Sequence, residues 1–310
     1  MGRNDAGLTT SYLAPMMPFD GLIAYPITPA SADGRVDAAA LGRLLERLPA
    51  AGVQGVGLLG STGTYPYLTR AERRRAIEAA VEVLAGRVPL LVGVGALRTD
   101  EAVALAGDAR AAGADAGLLA AVSYIPLRDN EVFAHYEAVA ATGLPLCVYD
   151  NPGTTGFTFS PALIARLSRV PGIQAAKVPA PQAEAAAALA TLRGGCAPGF
   201  RVGCSVDARA AEALLAGADA WHSVAAGLFP QACLAISAAA RAGDTAGARR
   251  LNSAMQPLWD LFAAHTSLRV IYAAAGHLGL CSAAPPRPVL PLPDEARRQV
   301  ADVVDQLELT

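Results

Sequence analysis

"PGIQAAKVPAPQ", residues 171–182, contains the single lysine of a 310-residue chain that carries 24 arginines. The stretch opens on a Pro-Gly turn signal, continues as the short apolar run Ile173–Val178 and is stopped at once by Pro179. A run of this length between turn residues reads as a buried strand, with Lys177 at its carboxyl end. At an exposed position arginine and lysine are interchangeable, and this chain writes almost every cation as arginine. A strand end is a different setting. Guanidinium stays protonated in proteins, whereas an amine can lose its proton and attack a carbonyl. Lys177 is therefore a candidate nucleophile, and the competing account is a compositional leftover.

Outward from this strand the pattern repeats. Strand-like segments occur at 21–28, 55–60, 89–95, 116–122, 145–150, 173–178, 200–205 and 220–227, each followed by an amphipathic helical stretch. Residues 37–50 form one such helix, and 69–86 another that opens with a capping box between Thr69 and Glu72. Near-continuous apolar strands separated by helices indicate a parallel sheet covered on its outer face. Eight such units close into a (β/α)8 TIM barrel, expected over 21–230. Residues 1–20 read as a loose N-terminal arm. Residues 231–310 are too long for the eighth helix alone and are expected to add two or three C-terminal helices packed on the barrel, broken at "GDTAG" and "PPRPVLPLP".

Net charge is −2 and only 17% of residues are charged, so no basic surface points to nucleic acid. A small molecule is the expected partner. Cys147, Cys196, Cys204, Cys233 and Cys281 are odd in number and widely spaced, which fits neither a disulfide framework nor a zinc knuckle. No signal-peptide core or uninterrupted membrane-length apolar run appears, and a cytoplasmic protein without membrane attachment is expected. No His/Asp/Glu cluster has metal-ligand spacing, so neither a metal nor a cofactor is expected.

In a barrel of this kind the chemistry gathers at the carboxyl ends of the strands. Lys177 ends the sixth, and Tyr149 ends the fifth, followed by "DNPGTTG". By strand alternation Ile173, Ala175 and Lys177 share one face of their strand, as Cys147 and Tyr149 do of theirs, so that both long side chains can lean into the barrel mouth. An amine there is partly desolvated and can supply the neutral nucleophile that a Schiff base requires. A phenol on the neighbouring strand can shuttle protons to and from it. The second strand ends in "GSTGTY", where Ser61 and Thr62 lie between glycines and could dock a carboxylate. Tyr149 alone, or the Gly-Ser-Thr-Gly turn alone, would be ordinary core or loop; together on three strand ends they are far more specific.

These motifs carry a resemblance. From about Gly21 to the C-terminus the chain resembles the pyruvate-dependent class I aldolases of the dihydrodipicolinate synthase / N-acetylneuraminate lyase family. There a Gly-Ser/Thr-Thr-Gly loop grips the pyruvate carboxylate, matched by Ser61 and Thr62. A Tyr-Asn/Asp-x-Pro motif supplies the proton-relay tyrosine, matched by Tyr149. The Schiff-base lysine follows that tyrosine by 28 residues, as Lys177 does. The resemblance implies that Lys177 condenses with the ketone of pyruvate or another 2-oxo acid, with Tyr149 moving the protons. It also implies a homotetramer built from tight dimers, with Tyr124 and Ile125 near the site at a subunit interface.

The chain departs from the synthase pattern in several places. The arginine that in dihydrodipicolinate synthases binds the second substrate's carboxylate is Thr154 here. Their tyrosine borrowed from a neighbouring subunit falls at Ile125, beside Tyr124. The usual Ser-Gly-Asp-Asp at the seventh strand end reads Cys204-Ser205-Val206-Asp207, which adds a hydroxyl. "AYPIT", residues 24–28, is similar to a segment of the family's oxo-sugar-acid dehydratases. His222 matches a position that touches substrate through its backbone, while His135, His265 and His277 read as structural. These departures favour an aldolase or dehydratase acting on a neutral, hydroxylated 2-oxo acid, such as an oxo-sugar acid, over a dihydrodipicolinate synthase. Two further alternatives are a non-catalytic 2-oxo-acid-binding barrel and a phosphate-dependent barrel enzyme using Gly203 and Gly227, the latter disfavoured by the lack of a basic residue beside those glycines.

Overall fold

The computed structural model describes residues 18–309. Among them eight parallel strands close in sequence order into a barrel, with β8 pairing back to β1. These are β1 (Gly21–Ala24), β2 (Gly55–Leu58), β3 (Leu90–Gly93), β4 (Ala116–Ala120), β5 (Leu146–Tyr149), β6 (Ile173–Pro179), β7 (Arg201–Ser205) and β8 (Ala220–Ser223). The connections hold α1 (Ala38–Ala51), α2 (Arg70–Leu84), α3 (Thr99–Ala112), α4 (Asp129–Ala140), the single turn α5 (Pro152–Thr155), α6 (Pro161–Leu167), α7 (Ala185–Gly195) and α8 (Ala210–Leu215). After β8 come α9 (Pro230–Arg241), α10 (Thr245–Ala254), α11 (Gln256–His265), α12 (Ser267–His277) and α13 (Asp294–Gln306).

The helices follow from local chemistry. In α1, Leu41, Leu44, Leu45 and Leu48 recur at helical spacing and are fully buried against the sheet. The Asp37 side chain accepts from the Ala40 N–H, and Gly52 ends the helix in the left-handed region at φ 96°. The start of α2 shows half of the expected capping box. Thr69 Oγ1 accepts from the Glu72 N–H, but the Glu72 carboxylate accepts instead from the Val36 N–H at 2.7 Å. Glu72 thereby ties α2 to the segment that leads into α1.

The eight strand positions agree with the sequence pattern, although most strands are shorter than the apolar runs that mark them. β2 stops because Leu59 adopts φ 56°, which swings the chain inward over β3. The turn is possible because Gly93 has no side chain: a Cβ there would overlap the Leu59 carbonyl oxygen. The loop carrying Ser61 and Thr62 is aimed by this close approach.

β6 corrects the simple alternation. Ile173 does not share a face with Lys177; it packs in the outer layer between sheet and helices, while Ala175 lies in the barrel interior. Opposite β5 the register jumps between Leu146↔Ile173 and Cys147↔Ala175, leaving one extra residue on β6. Such a bulge resets the pleat, so Ala175 and Lys177 point inward from there on.

Two layers of core result. The outer one joins sheet and helices. The inner one fills the barrel with Phe19, Ile23, Tyr25, Leu91, Ala116, Leu118, Ala120, Cys147, Tyr149, Ala175 and Ala220. Of the expected arm over 1–20, residues 1–17 lie outside the described residues, but Phe19 is 1% exposed within this inner layer and belongs to the barrel. Beyond α9 the chain forms four helices among the described residues, α10 to α13, instead of two or three. The additional breaks fall at Met255, before Pro257, and at Thr266 with φ 68°. Tyr272 on α12 donates its O–H to the Thr28 carbonyl at 3.3 Å, which fastens this extension to the loop after β1.

Candidate active site

The carboxyl ends of the strands bring several of the marked residues together. Tyr149 is the last residue of β5 and pairs with Lys177 on β6, which in turn pairs with Gly203 on β7. Lys177 is only 4% exposed. Its Nζ lies 3.9 Å from the centre of the Tyr25 ring and 4.3 Å from that of Tyr149, against two phenol faces. Ser61, from the loop after β2, approaches from the other side, its Oγ 3.2 Å from the Tyr149 hydroxyl. Thr62 is buried next to it.

The other residues singled out in the sequence stand differently. Ser205 ends β7 and donates to the Val178 carbonyl at 3.3 Å. Thr154 is exposed on α5, its hydroxyl donated to the Asn151 carbonyl at 3.2 Å. Tyr124 and Ile125, between β4 and α4, are 96% and 70% exposed. Gly203 makes room for a side chain, since a Cβ there would collide with Nε2 of His222. A Cβ on Gly227 would strike the Tyr25–Pro26 backbone. Both glycines thus serve close packing, and no phosphate cradle is built around them. No group of three or more His, Cys, Asp or Glu side chains converges as a metal site among the described residues.

Two residues escaped the sequence reading. Asn151 donates from Nδ2 to the Tyr149 oxygen at 2.8 Å and to Ser61 Oγ at 3.1 Å. Its signal was present in "DNPG", but there it reads as turn chemistry. Tyr25, in "AYPIT", lies under Lys177 with its hydroxyl 2.9 Å from Nδ1 of His222. Gly57 and Gly60 leave the space that its ring fills.

The electrostatics of this floor are set by burial. Desolvation, followed by the neighbouring Cys147 and Tyr149, pushes the Tyr25 hydroxyl well above the ordinary phenol range. His222 is pushed well below the ordinary imidazole range by burial and then by the Lys177 ammonium. Both members of the pair are therefore neutral at physiological pH. The Tyr25 hydroxyl and Nδ1 of His222 share one hydrogen bond, and Nε2 lies above Gly203. Behind β7, the buried carboxylate of Asp207 accepts from Trp221 Nε1 at 2.8 Å and from the Ala225 N–H at 3.1 Å, bracing the end of β8.

A buried primary amine between aromatic faces, with two hydroxyls and an amide opposite, can form an imine with a carbonyl compound and move protons around it. Known proteins share the frame. A 4-hydroxy-tetrahydrodipicolinate synthase of Acidiphilium cryptum is 34% identical over 295 residues, covering 94% of this chain and 99% of its own. The crystal structure of dihydrodipicolinate synthase from Agrobacterium tumefaciens is 53% identical and superposes with a TM-score of 0.92 over 94% of this chain and 98% of its own. That of the chloride-inhibited dihydrodipicolinate synthase from Acinetobacter baumannii, complexed with pyruvate, is 29% identical with a TM-score of 0.87, covering 94% of this chain and 100% of its own. The dihydrodipicolinate synthetase family model matches residues 18–307, and the chain belongs to that family of Schiff-base-forming lyases.

Proposed function

We propose that Lys177 is the Schiff-base lysine of a pyruvate-dependent lyase whose second substrate or product portion is neutral and hydroxylated. The observation that carries the reading is the buried Lys177 amine set against the Tyr149 ring, whose hydroxyl is bonded to Ser61. The amine adds to the ketone carbon of pyruvate or another 2-oxo acid. The carbinolamine hydroxyl takes a proton through Tyr149 and leaves as water, which gives the iminium. Loss of a C3 proton, or cleavage of the bond beyond C3, then gives the enamine. The nitrogen is neutral when it attacks and becomes cationic again in the iminium, which the ring faces of Tyr25 and Tyr149 favour as they favour the resting ammonium. Ser61 and Thr62 hold the carboxylate so that the ketone carbon meets the amine. Ser205 at the end of β7 and His222 on β8 are the polar side chains assigned to the remainder of the substrate, and Thr154 lines its entrance.

Borohydride reduction in the presence of pyruvate tests the core of this reading. One pyruvyl adduct per chain, on Lys177, is expected. A protein that binds pyruvate without forming an adduct would be a binding barrel instead.

The names of the relatives favour a second reading, a 4-hydroxy-tetrahydrodipicolinate synthase. The two part at Thr154, whose hydroxyl is turned back onto the backbone and offers no charge. Hydrogen bonds to charged groups contribute about 1.5–3 kcal/mol, so the absence of one leaves aspartate semialdehyde about 10- to 100-fold poorer as an acceptor than a neutral hydroxyaldehyde of the same length. Steady-state assays of pyruvate with both aldehydes decide this, and efficient use of aspartate semialdehyde restores the synthase. A cytoplasmic homotetramer completes the proposal. The five free thiols support a reducing compartment, and the exposed Tyr124 and Ile125 support a partner subunit beside the mouth.

A further inference from the structure

We infer that Asn151 is a positioning residue: its amide holds the Tyr149 and Ser61 oxygens as acceptors, so that one hydroxyl proton is shared between them and the other is left to face the substrate. The inference rests on the Schiff-base reading above and deepens it. Three atoms form a closed triangle, with Nδ2 2.8 Å from the Tyr149 oxygen, 3.1 Å from Ser61 Oγ, and the two oxygens 3.2 Å apart. An amide nitrogen can only donate, and each hydroxyl brings one proton. One O–H closes the Ser61–Tyr149 side of the triangle. The second O–H has no acceptor among the described residues, and the ring that carries the phenol lies against Lys177 Nζ. The free proton is therefore poised where a C3 carbon attached to that nitrogen through an imine would stand.

Asn151 is itself held. Its carbonyl accepts from the hydroxyls of Thr154 and Thr155 at 3.2 and 3.1 Å, and from their N–H groups at 3.0 and 3.1 Å. The following Pro152 restricts its backbone further. The side chain thus starts from a fixed base at the end of β5, as a group that must orient two others requires. Thr154, in this account, serves the site by fixing Asn151.

The test uses pyruvate alone and two partial reactions. Adduct formation on Lys177 is read by borohydride trapping and mass spectrometry. Proton movement at C3 is read by NMR as exchange of the pyruvate methyl hydrogens with deuterium oxide. Asn151→Val is expected to reach the parental extent of trapping on long incubation, which also shows that the variant is folded, though more slowly, and to exchange C3 hydrogens about 10²-fold more slowly, the lower end for loss of positioned proton transfer. Asn151→Asp presents only acceptors when ionised, drawing both hydroxyl protons away from substrate, and regains a donor when protonated. Its exchange rate relative to the parent is therefore expected to rise as pH falls through the carboxyl's titration, a response that a purely structural asparagine does not produce. Parental exchange in Asn151→Val with trapping intact, or a flat pH ratio in Asn151→Asp, overturns the inference. A parent that forms no adduct overturns instead the Schiff-base reading on which it stands.

Discussion

Lys177→Arg abolishes the pyruvate adduct while leaving the fold and the positive charge in place. The replacement keeps a cation against the faces of Tyr25 and Tyr149, where guanidinium stacks well. What it removes is a nitrogen able to lose a proton and attack the ketone. Turnover is expected to fall by at least about 10⁴-fold, as for deletion of a covalent nucleophile, with the circular dichroism spectrum and thermal midpoint close to those of the parent. Mass spectrometry reads the result without ambiguity, because the chain has no second lysine and only the N-terminal amine can compete. A pyruvyl adduct on the arginine variant at the parental level would show that the nucleophile lies elsewhere.

Tyr149→Phe separates proton transfer from imine formation. The ring stays against Lys177, so the amine keeps its packing and its nucleophilicity. The hydroxyl that joins Ser61 to Asn151 is lost. Imine is expected still to form, slowly, and to be trapped by borohydride, while turnover drops by about 10²–10⁴-fold. Trapping and steady-state rates measured on one preparation check both halves. A variant that turns over at the parental rate would remove Tyr149 from the relay.

The sequence made the barrel legible because its eight apolar runs are separated by helices at regular spacing, and Leu41, Leu44, Leu45 and Leu48 show how plainly a helix face can be written. Lys177 was conspicuous through composition alone. The bulge in β6 was not legible, since Ala175 and Ala176 are both small and apolar and either could point inward. Tyr25 and His222 lie 197 residues apart and meet only because β1 and β8 close the sheet. Asn151 sits in a tetrapeptide whose every residue suits a turn, so its side chain's second task left no trace in residue type. Glu72 satisfied the capping-box pattern and then bonded elsewhere, because the Val36 N–H offered a partner that local spacing does not reveal. The extra C-terminal helices begin where a proline at α11 or a left-handed threonine interrupts an otherwise continuous helical pattern.

Beneath the amine, the closed inner layer from Tyr25 down to Phe19 makes the barrel a room with one door. On the proposed chemistry, the ketone that condenses with Lys177 enters past the strand ends, and the water expelled on imine formation leaves along the same path. In the cleavage direction proposed above, the first fragment must back out while the enamine remains tethered, and only then can a second molecule reach C3. Traffic through a single opening imposes an order on the events that the chemistry alone does not. In the proposed mechanism, the tether on Lys177 keeps the unfinished half of the substrate from leaving with the first departure.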